Sequence, residues 1–160
     1  MANTSDAEPT LIGWREWVSF PDWGIPAVKV KIDTGARTSA LHAVDLDLIE
    51  RDGMQFASFE VHPWQRSARD GVRVVAPLVD QRQVTSSSGE TSMRPVVRAV
   101  IDLDGAPESI ELTLTRRDDM GFKMLLGRTA MEGRHYVDPA SSYLHGRPDL
   151  RTRRRNRGTR

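Results

Sequence analysis

The sequence predicts an all-β fold, a closed barrel that carries one short helix near its C-terminal end. Three observations favour this class. Apolar residues recur with a period of two in short segments that turn-forming residues separate. Only residues 128–133 have the pattern of a helix. No unit repeats at the period of about 20 to 50 residues that solenoids require, and the 160 residues suffice for one domain with a core.

The clearest strand lies at residues 27–33, where Lys29 and Lys31 alternate with aliphatic residues. A strand with one buried face has this period. Residues 72–84 form a weaker pattern, which we expect Pro77 to interrupt because proline cannot donate a hydrogen bond to a neighbouring strand. The predicted strands are, in chain order, residues 14–20, 27–33, 54–61, 72–84, 95–103, 109–115 and 124–126.

Turn-forming residues indicate where these strands end. Residues 21–24 contain a proline and a glycine and are predicted to form the first turn. Residues 104–107, of sequence Asp-Gly-Ala-Pro, are typical of a hairpin turn. After the helix, the pattern allows a last strand at residues 136–137 or at residues 142–144.

The charges are distributed unevenly along the chain. Residues 147–160 hold seven arginines and one acid, so the other residues have 16 basic and 21 acidic side chains and a net charge of −5. Like charges without apolar residues favour disorder. We therefore expect a disordered N-terminus at residues 1–10, a folded domain at residues 11–146 and a disordered tail at residues 147–160. The tail is either only solvated or makes a weak contact with nucleic acid.

Several classes of protein and site are disfavoured. The chain has no cysteine, which excludes disulfides and thiolate metal sites. It has neither an apolar run long enough for a membrane nor a secretory signal, so we expect a cytoplasmic protein without membrane contact. The four histidines lack the spacing of a ligand pair and no phosphate-binding glycine loop is present. We therefore predict no metal and no other cofactor.

The segment around Asp33 is the strongest candidate site. An amphipathic strand runs directly into Asp33, Thr34, Gly35 and Ala36. Such a strand supports the loop, and the glycine allows the sharp turn that makes a carboxylate project from it. Asp and Gly also favour turns in any protein, so the tripeptide alone does not distinguish a turn from a catalytic loop.

A second segment makes the pattern more specific. Leu125, Leu126, Gly127 and Arg128 follow about 90 residues downstream and enter the predicted helix. Together, the two segments resemble those of the retropepsin-like aspartic proteases. The resemblance implies that Asp33 is catalytic, that residues 34–37 form the active-site loop, and that residues 125–128 support it.

One family within that group matches more closely. Residues 12–18, 33–43 and 124–128 resemble the RimB-type family, whose members are also labelled ATP-dependent zinc proteases. The resemblance extends over residues 11–146, nearly the whole chain before the tail. Members are linked with ATP-grasp ligases of the RimK type, which add glutamates to a ribosomal protein. The resemblance therefore implies such a ligase system as a partner.

The resemblance also implies a hairpin flap that closes over the substrate. The sequence offers arms at residues 79–84 and 93–97. The residues at the predicted tip, which would contact substrate, are Ser86, Ser87, Ser88 and Gly89.

One departure from retroviral enzymes concerns Arg37. It occupies the position of an acid that pairs there with the arginine equivalent to Arg128. Two arginines cannot pair, so we expect Arg128 to use Asp118 or Asp119 instead.

These observations predict an aspartic peptidase that is active as a homodimer. The reaction needs two neighbouring carboxylates, one ionised to activate water and one protonated to donate to the carbonyl. The chain contains one Asp-Thr-Gly, so Asp33 of a second copy is expected to complete the pair. The substrate would be a peptide or protein, and Arg37 favours acidic or glutamate-tailed peptides.

Two alternatives remain open. The first is a catalytically silent binding module of the same fold, which acts with the ATP-grasp ligase and ribosome system. The second is a metallopeptidase, which would bind zinc.

Overall fold

The structure is a computed structural model and describes residues 8–64, 69–85, 88–115 and 121–151. These residues form ten strands and one short α-helix, which is an all-β fold. The elements are β1 (Thr10–Phe20), β2 (Ile25–Ile32), β3 (Ser39–His42), β4 (Val44–Arg51), β5 (Met54–Val61), β6 (Val72–Thr85), β7 (Thr91–Ile101), β8 (Glu108–Thr115), β9 (Met124–Leu126), α1 (Arg128–Met131) and β10 (His135–Ser142).

Six of the strands close into a barrel. The hydrogen-bonded order includes β1-β2-β9-β3-β8-β7. Ser19 at the end of β1 then bridges Asp102, which follows β7, through two backbone hydrogen bonds of 3.0 Å. This bridge joins the first and last strands of the series. The predicted fold class, an all-β barrel with one short C-terminal helix, is therefore confirmed.

Strand β6 leaves the barrel and changes partners at Pro77. Its first half pairs with β5 as far as Pro77, opposite Phe56, and its second half pairs with β7 from Leu78 onward. The strand is continuous, so the predicted interruption at Pro77 is wrong. Proline is tolerated because it lies where one pairing ends and the other begins, and its missing N–H breaks neither ladder.

Two strands were not predicted from the sequence. Strand β3 has only four residues, which is too short for a clear period. Strand β4 does alternate, with Val44, Leu46 and Leu48 separated by aspartates, and this signal could have identified it. The predicted helix is shorter than expected and ends at Met131, while the last strand spans residues 135–142.

The core lies inside the barrel and under the β4–β5–β6 extension. On β2, Val28 and Val30 are completely buried and Ile32 is 7% exposed. Lys31 lies on the exposed side of the same strand, so the predicted alternation is confirmed. Burying an aliphatic side chain of this size contributes about 1.5–3 kcal/mol. The helices of the described residues do not have the length and apolarity that crossing a membrane requires.

A buried carboxylate attaches the C-terminal segment to the barrel. Glu16 on β1 is fully buried and accepts three backbone N–H bonds, from Gly13 at 2.7 Å, Leu144 at 3.0 Å and His145 at 3.2 Å. Gly13 has no room for a side chain, because a Cβ there would collide with the Ser141 carbonyl. These contacts hold β10 and the following turn against β1.

Glu16→Gln tests this attachment. Both carboxylate oxygens of Glu16 accept backbone N–H groups, whereas the NH₂ of glutamine can only donate. At least one buried N–H therefore loses its acceptor. We expect a loss of about 2 kcal/mol in the free energy of unfolding, measured by urea denaturation. Glu50→Gln, at an exposed position on β4, is the matched control and should change stability by less than about 0.5 kcal/mol. Equal effects of the two substitutions would contradict the role of Glu16.

His135 at the start of β10 lies in a similarly enclosed position. Its side chain is 7% exposed, and its Nε2 atom lies 3.4 Å from Oδ2 of Asp104. Burial lowers the pKa of His135 below its usual 6.5, although the Asp104 carboxylate acts in the opposite direction. The buried imidazole is therefore harder to protonate in the folded chain than in the unfolded chain.

This difference predicts a pH dependence of stability. The unfolded chain takes up the proton more readily, so the folded state loses stability as the pH falls below about 6.5, until His135 is protonated in both states. We expect the His135→Gln variant to lose less stability than the wild type between about pH 7 and pH 5. Urea denaturation across this range measures both profiles, and parallel profiles would contradict the prediction.

Candidate binding site around Asp33

The candidate site begins where β2 ends. Strand β9 runs parallel to β2, with Ile32 opposite Leu126. The next residue, Asp33, continues this pairing, because its N–H donates to the Leu126 carbonyl at 2.9 Å. The position of Asp33 is thus fixed by the barrel itself.

The loop folds back on the Asp33 carboxylate. The Gly35 N–H donates to Asp33 Oδ1 at 3.0 Å, and the Ala36 N–H donates to the Asp33 carbonyl at 3.2 Å. Thr34 and Gly35 are exposed, whereas Asp33 is half-buried. Within the described parts of the chain, Oδ2 of Asp33 has no hydrogen-bond partner. The loop therefore orients the carboxylate through Oδ1 and leaves Oδ2 available to a ligand.

Gly127 packs directly beneath this loop. A Cβ at residue 127 would lie 2.5 Å from the Thr38 carbonyl oxygen, which is far inside contact distance. The Gly127 N–H donates to the Ser39 hydroxyl at 3.0 Å. Only glycine allows β9 to approach the chain after the loop so closely.

The start of α1 supports the loop from the same side. Arg128 donates its Nη1 to the Thr34 carbonyl at 3.1 Å, and its backbone N–H donates to the Ala36 carbonyl at 2.8 Å. Thr129 donates both its N–H, at 3.1 Å, and its hydroxyl, at 3.0 Å, to the Arg37 carbonyl. Arg128 thus binds a backbone carbonyl of the loop. Its predicted acidic partners, Asp118 and Asp119, lie outside the described residues.

The predicted hairpin is present as the second half of β6 and the first half of β7. The arms pair from Leu78 opposite Val97 to Thr85 opposite Thr91. At the tip, Ser88 and Gly89 are exposed, and Gly89 has a φ of 91°, which favours glycine. Ser86 and Ser87 lie outside the described residues.

The structure brings the loop and the hairpin to one cavity. Arg37 and Thr38 line it from the loop, Arg82 lines it from the first arm of the hairpin, and Arg98 lines it from β7 directly after the second arm. Sequence reasoning identified Arg37 but missed the other two arginines. Their signal was weak, because exposed arginines on strands are common and only the folded sheet shows which of them are neighbours.

The described residues contain no group of three His, Asp or Glu side chains that could hold a metal ion. The roles predicted for Asp33, for the loop, for the tip of the hairpin and for residues 125–128 stay predictions. What the geometry provides is a rigid loop with one oriented carboxylate, next to a hairpin and a cavity lined by arginines.

Comparison with curated proteins gives close relatives that are much longer. The chain is 46% identical over 136 residues to a Shewanella pealeana protein named "Probable alpha-L-glutamate ligase". It is 47% identical over 137 residues to a Desulfotalea psychrophila protein of the same name. These matches cover 85% and 86% of this chain. The chain spans about 30% of the length of the curated relatives it matches.

These relatives correct the predicted activity. Proteins that match nearly the whole chain are named ligases, so the prediction of an aspartic peptidase, and of a hydrolase in general, is wrong. The physical reason lies in the loop. Asp33 and Gly35 hold its turn together and Gly127 lets β9 pack beneath it, so these residues have a structural role that does not depend on the chemistry of the site.

A solved structure shows the same fold. A Legionella pneumophila protein of unknown function matches with a TM-score of 0.72 and 27% identity, over 86% of this chain and 99% of that one. The family model described as "Retropepsin-like aspartic endopeptidase RimB" matches residues 11–148. This match covers well over half of the chain and includes the loop, the hairpin and α1. The chain therefore belongs to the RimB-like family of retropepsin-like proteins.

Proposed function

We propose that this chain is a peptide-binding module that acts with an ATP-grasp glutamate ligase and performs no bond chemistry itself. The observation that carries the proposal is its 46% identity to part of a protein named "Probable alpha-L-glutamate ligase". The match covers only 30% of that protein. In this proposal the ligation belongs to the remaining part or to a separate ligase, and the module holds the acceptor peptide.

The loop at Asp33 supports binding of a peptide. One carboxylate oxygen accepts the Gly35 N–H, and the other has no hydrogen-bond partner among the described residues. It can accept a hydrogen bond from a peptide N–H or from an N-terminal ammonium group. Because the barrel and α1 hold the loop rigidly, little conformational entropy is lost on binding.

The hairpin offers a second contact for an extended peptide. Strand β5 pairs with β6 only as far as Pro77. Beyond Pro77, no described strand pairs with the edge of β6 that β5 occupied before it, so the segment Leu78–Thr85 has one open edge. An extended peptide can add to such an edge through its backbone. This type of binding needs little side-chain specificity, as expected of a module that receives a growing chain of one residue type.

A domain exchange tests the proposal. Residues 11–146 replace the matching 136 residues of the Shewanella pealeana relative, and incorporation of labelled glutamate into an acidic acceptor peptide is measured. We expect Asp33→Asn in this chimera to raise the KM for the acceptor about tenfold with kcat unchanged, since a hydrogen bond to a charged group contributes about 1.5–3 kcal/mol. Asp47→Asn, at an exposed position on β4, is the matched control.

Two outcomes would overturn the proposal. One is an unchanged KM in the Asp33→Asn chimera. The other is a deletion variant of the Shewanella pealeana relative that lacks the matching segment and still adds glutamate to the acceptor peptide as efficiently as the intact protein.

Three finer predictions from the sequence belong to this proposal. A homodimer would place two copies of the loop and of the hairpin around one extended peptide, and sedimentation equilibrium would detect it.

The second prediction concerns the basic tail. Arg147 stacks on Tyr143 at 4.6 Å, and the basic residues after it supply a weak contact with nucleic acid of the ribosome in this proposal. A cytoplasmic location agrees with the ATP that such a ligase uses.

A further inference from the structure

The cavity beside the loop has an unusual lining. It has a volume of about 400 Å³ and lies between the chain after Asp33, the hairpin, the start of β8 and α1. Four elements thus contribute to one concave surface. The arginine pocket, as we call it, is lined by Arg37, Arg82, Arg98 and Arg134, together with Ser109, Glu111 and Thr129.

An internal carboxylate already bridges two of these arginines. Arg82 Nη2 donates to Oε1 of Glu111 at 2.8 Å, and Arg98 Nη2 donates to Oε2 at 3.2 Å. Each oxygen therefore accepts from a different guanidinium group. The pocket already accommodates one carboxylate in charge-assisted hydrogen bonds, which are among the strongest in proteins.

The other acidic side chains near the pocket also form ion pairs with its arginines. Asp80 binds Nε of Arg82 at 2.7 Å, and this hydrogen bond lowers the pKa of the Asp80 carboxyl. Arg134 pairs with Glu108 at 3.1 Å. Counting Glu111, Asp80 and Glu108 against the four arginines leaves one positive charge in excess.

Arg37 carries this excess charge. No described carboxylate lies within ion-pair distance of its guanidinium group, and the residue is exposed. Its backbone is nonetheless fixed, because its carbonyl accepts two hydrogen bonds from Thr129. The charged side chain therefore lines the pocket from a fixed backbone.

These features fit a carboxylate better than nucleic acid. A single excess charge on a concave surface matches one carboxylate side chain, whereas a phosphate backbone needs a longer basic surface with many contacts. The forked guanidinium groups also suit the planar carboxylate group. Arg82 lies on the open-edged segment of β6, so a peptide added there would run past the pocket.

We propose that the arginine pocket is a subsite for an acidic side chain of a bound peptide, with Arg37 as the principal contact. The inference deepens the proposed function and rests on it in taking the ligand to be a peptide. It assigns the selection of acidic residues to Arg37, Arg98 and Arg82, and the contact with the peptide backbone to Asp33 and the edge of β6.

Titration calorimetry of the full chain tests the subsite, with tetraglutamate and tetraglutamine peptides as probes. We expect tetraglutamate to bind at least about tenfold more tightly and to weaken at high salt. Arg37→Gln should raise the Kd for tetraglutamate about tenfold and leave the weak tetraglutamine binding unchanged. Arg51→Gln removes an exposed arginine outside the pocket, on β4, and should leave the Kd within about twofold.

A second variant and the thermal unfolding curve keep the test decisive. Arg98→Gln should also weaken tetraglutamate binding, and unfolding temperatures equal to wild type would show that both variants are folded. Equal losses for Arg37→Gln and Arg51→Gln would overturn the subsite in favour of non-specific attraction. Tighter binding of pyrophosphate or of a single-stranded oligonucleotide than of tetraglutamate would overturn the carboxylate assignment.

The same measurement separates the two proposals. If Asp33→Asn weakens both peptides while Arg37→Gln weakens neither, the peptide-binding module stands and the arginine subsite fails. If neither substitution changes the binding of either peptide, both proposals fail.

Discussion

The close approach of Gly127 to the Thr38 backbone is the constraint on which the candidate site depends. Strand β9 lies between β2 and β3 and must pass beneath the loop that joins them, and a side chain at residue 127 would leave no room for it. Because the chains lie so close, the Leu126 carbonyl accepts the N–H of Asp33, and the N–H groups of Arg128 and Thr129 donate to the carbonyls of Ala36 and Arg37. This close contact thus fixes the backbone of Asp33 and, four residues later, that of Arg37.

This constraint also explains why the motifs predicted the fold correctly and the activity wrongly. Asp33 holds its own loop through Gly35, and Gly127 permits the packing of β9. Both residues stabilise the packing of this loop against the barrel, so finding them indicates the architecture. The chemistry of the site depends on what the loop faces, and that is decided by residues far away in sequence.

The sequence predicted those features that depend on neighbours along the chain. The alternation in β2 and the turn between β7 and β8 are local patterns, and both were predicted with bounds close to those observed. The partner change of β6 at Pro77 depends on where β5 ends, which no local pattern contains. The arginine pocket likewise depends on assembly, because Arg82, Arg98 and Glu111 become neighbours only when β6, β7 and β8 pair.

The overall charge of the domain explains why a small basic pocket can be selective. Outside residues 147–160 the chain has 16 basic and 21 acidic residues, a net charge of −5, so this part of the chain as a whole repels an acidic peptide. Attraction is then confined to the few places where arginines outnumber their carboxylate partners. This excess lies in the cavity that Arg37 lines together with Arg82, which belongs to the open-edged segment of β6. In the proposed binding mode, an acidic peptide is therefore favoured at this position on the molecule, where its side chain meets the excess positive charge.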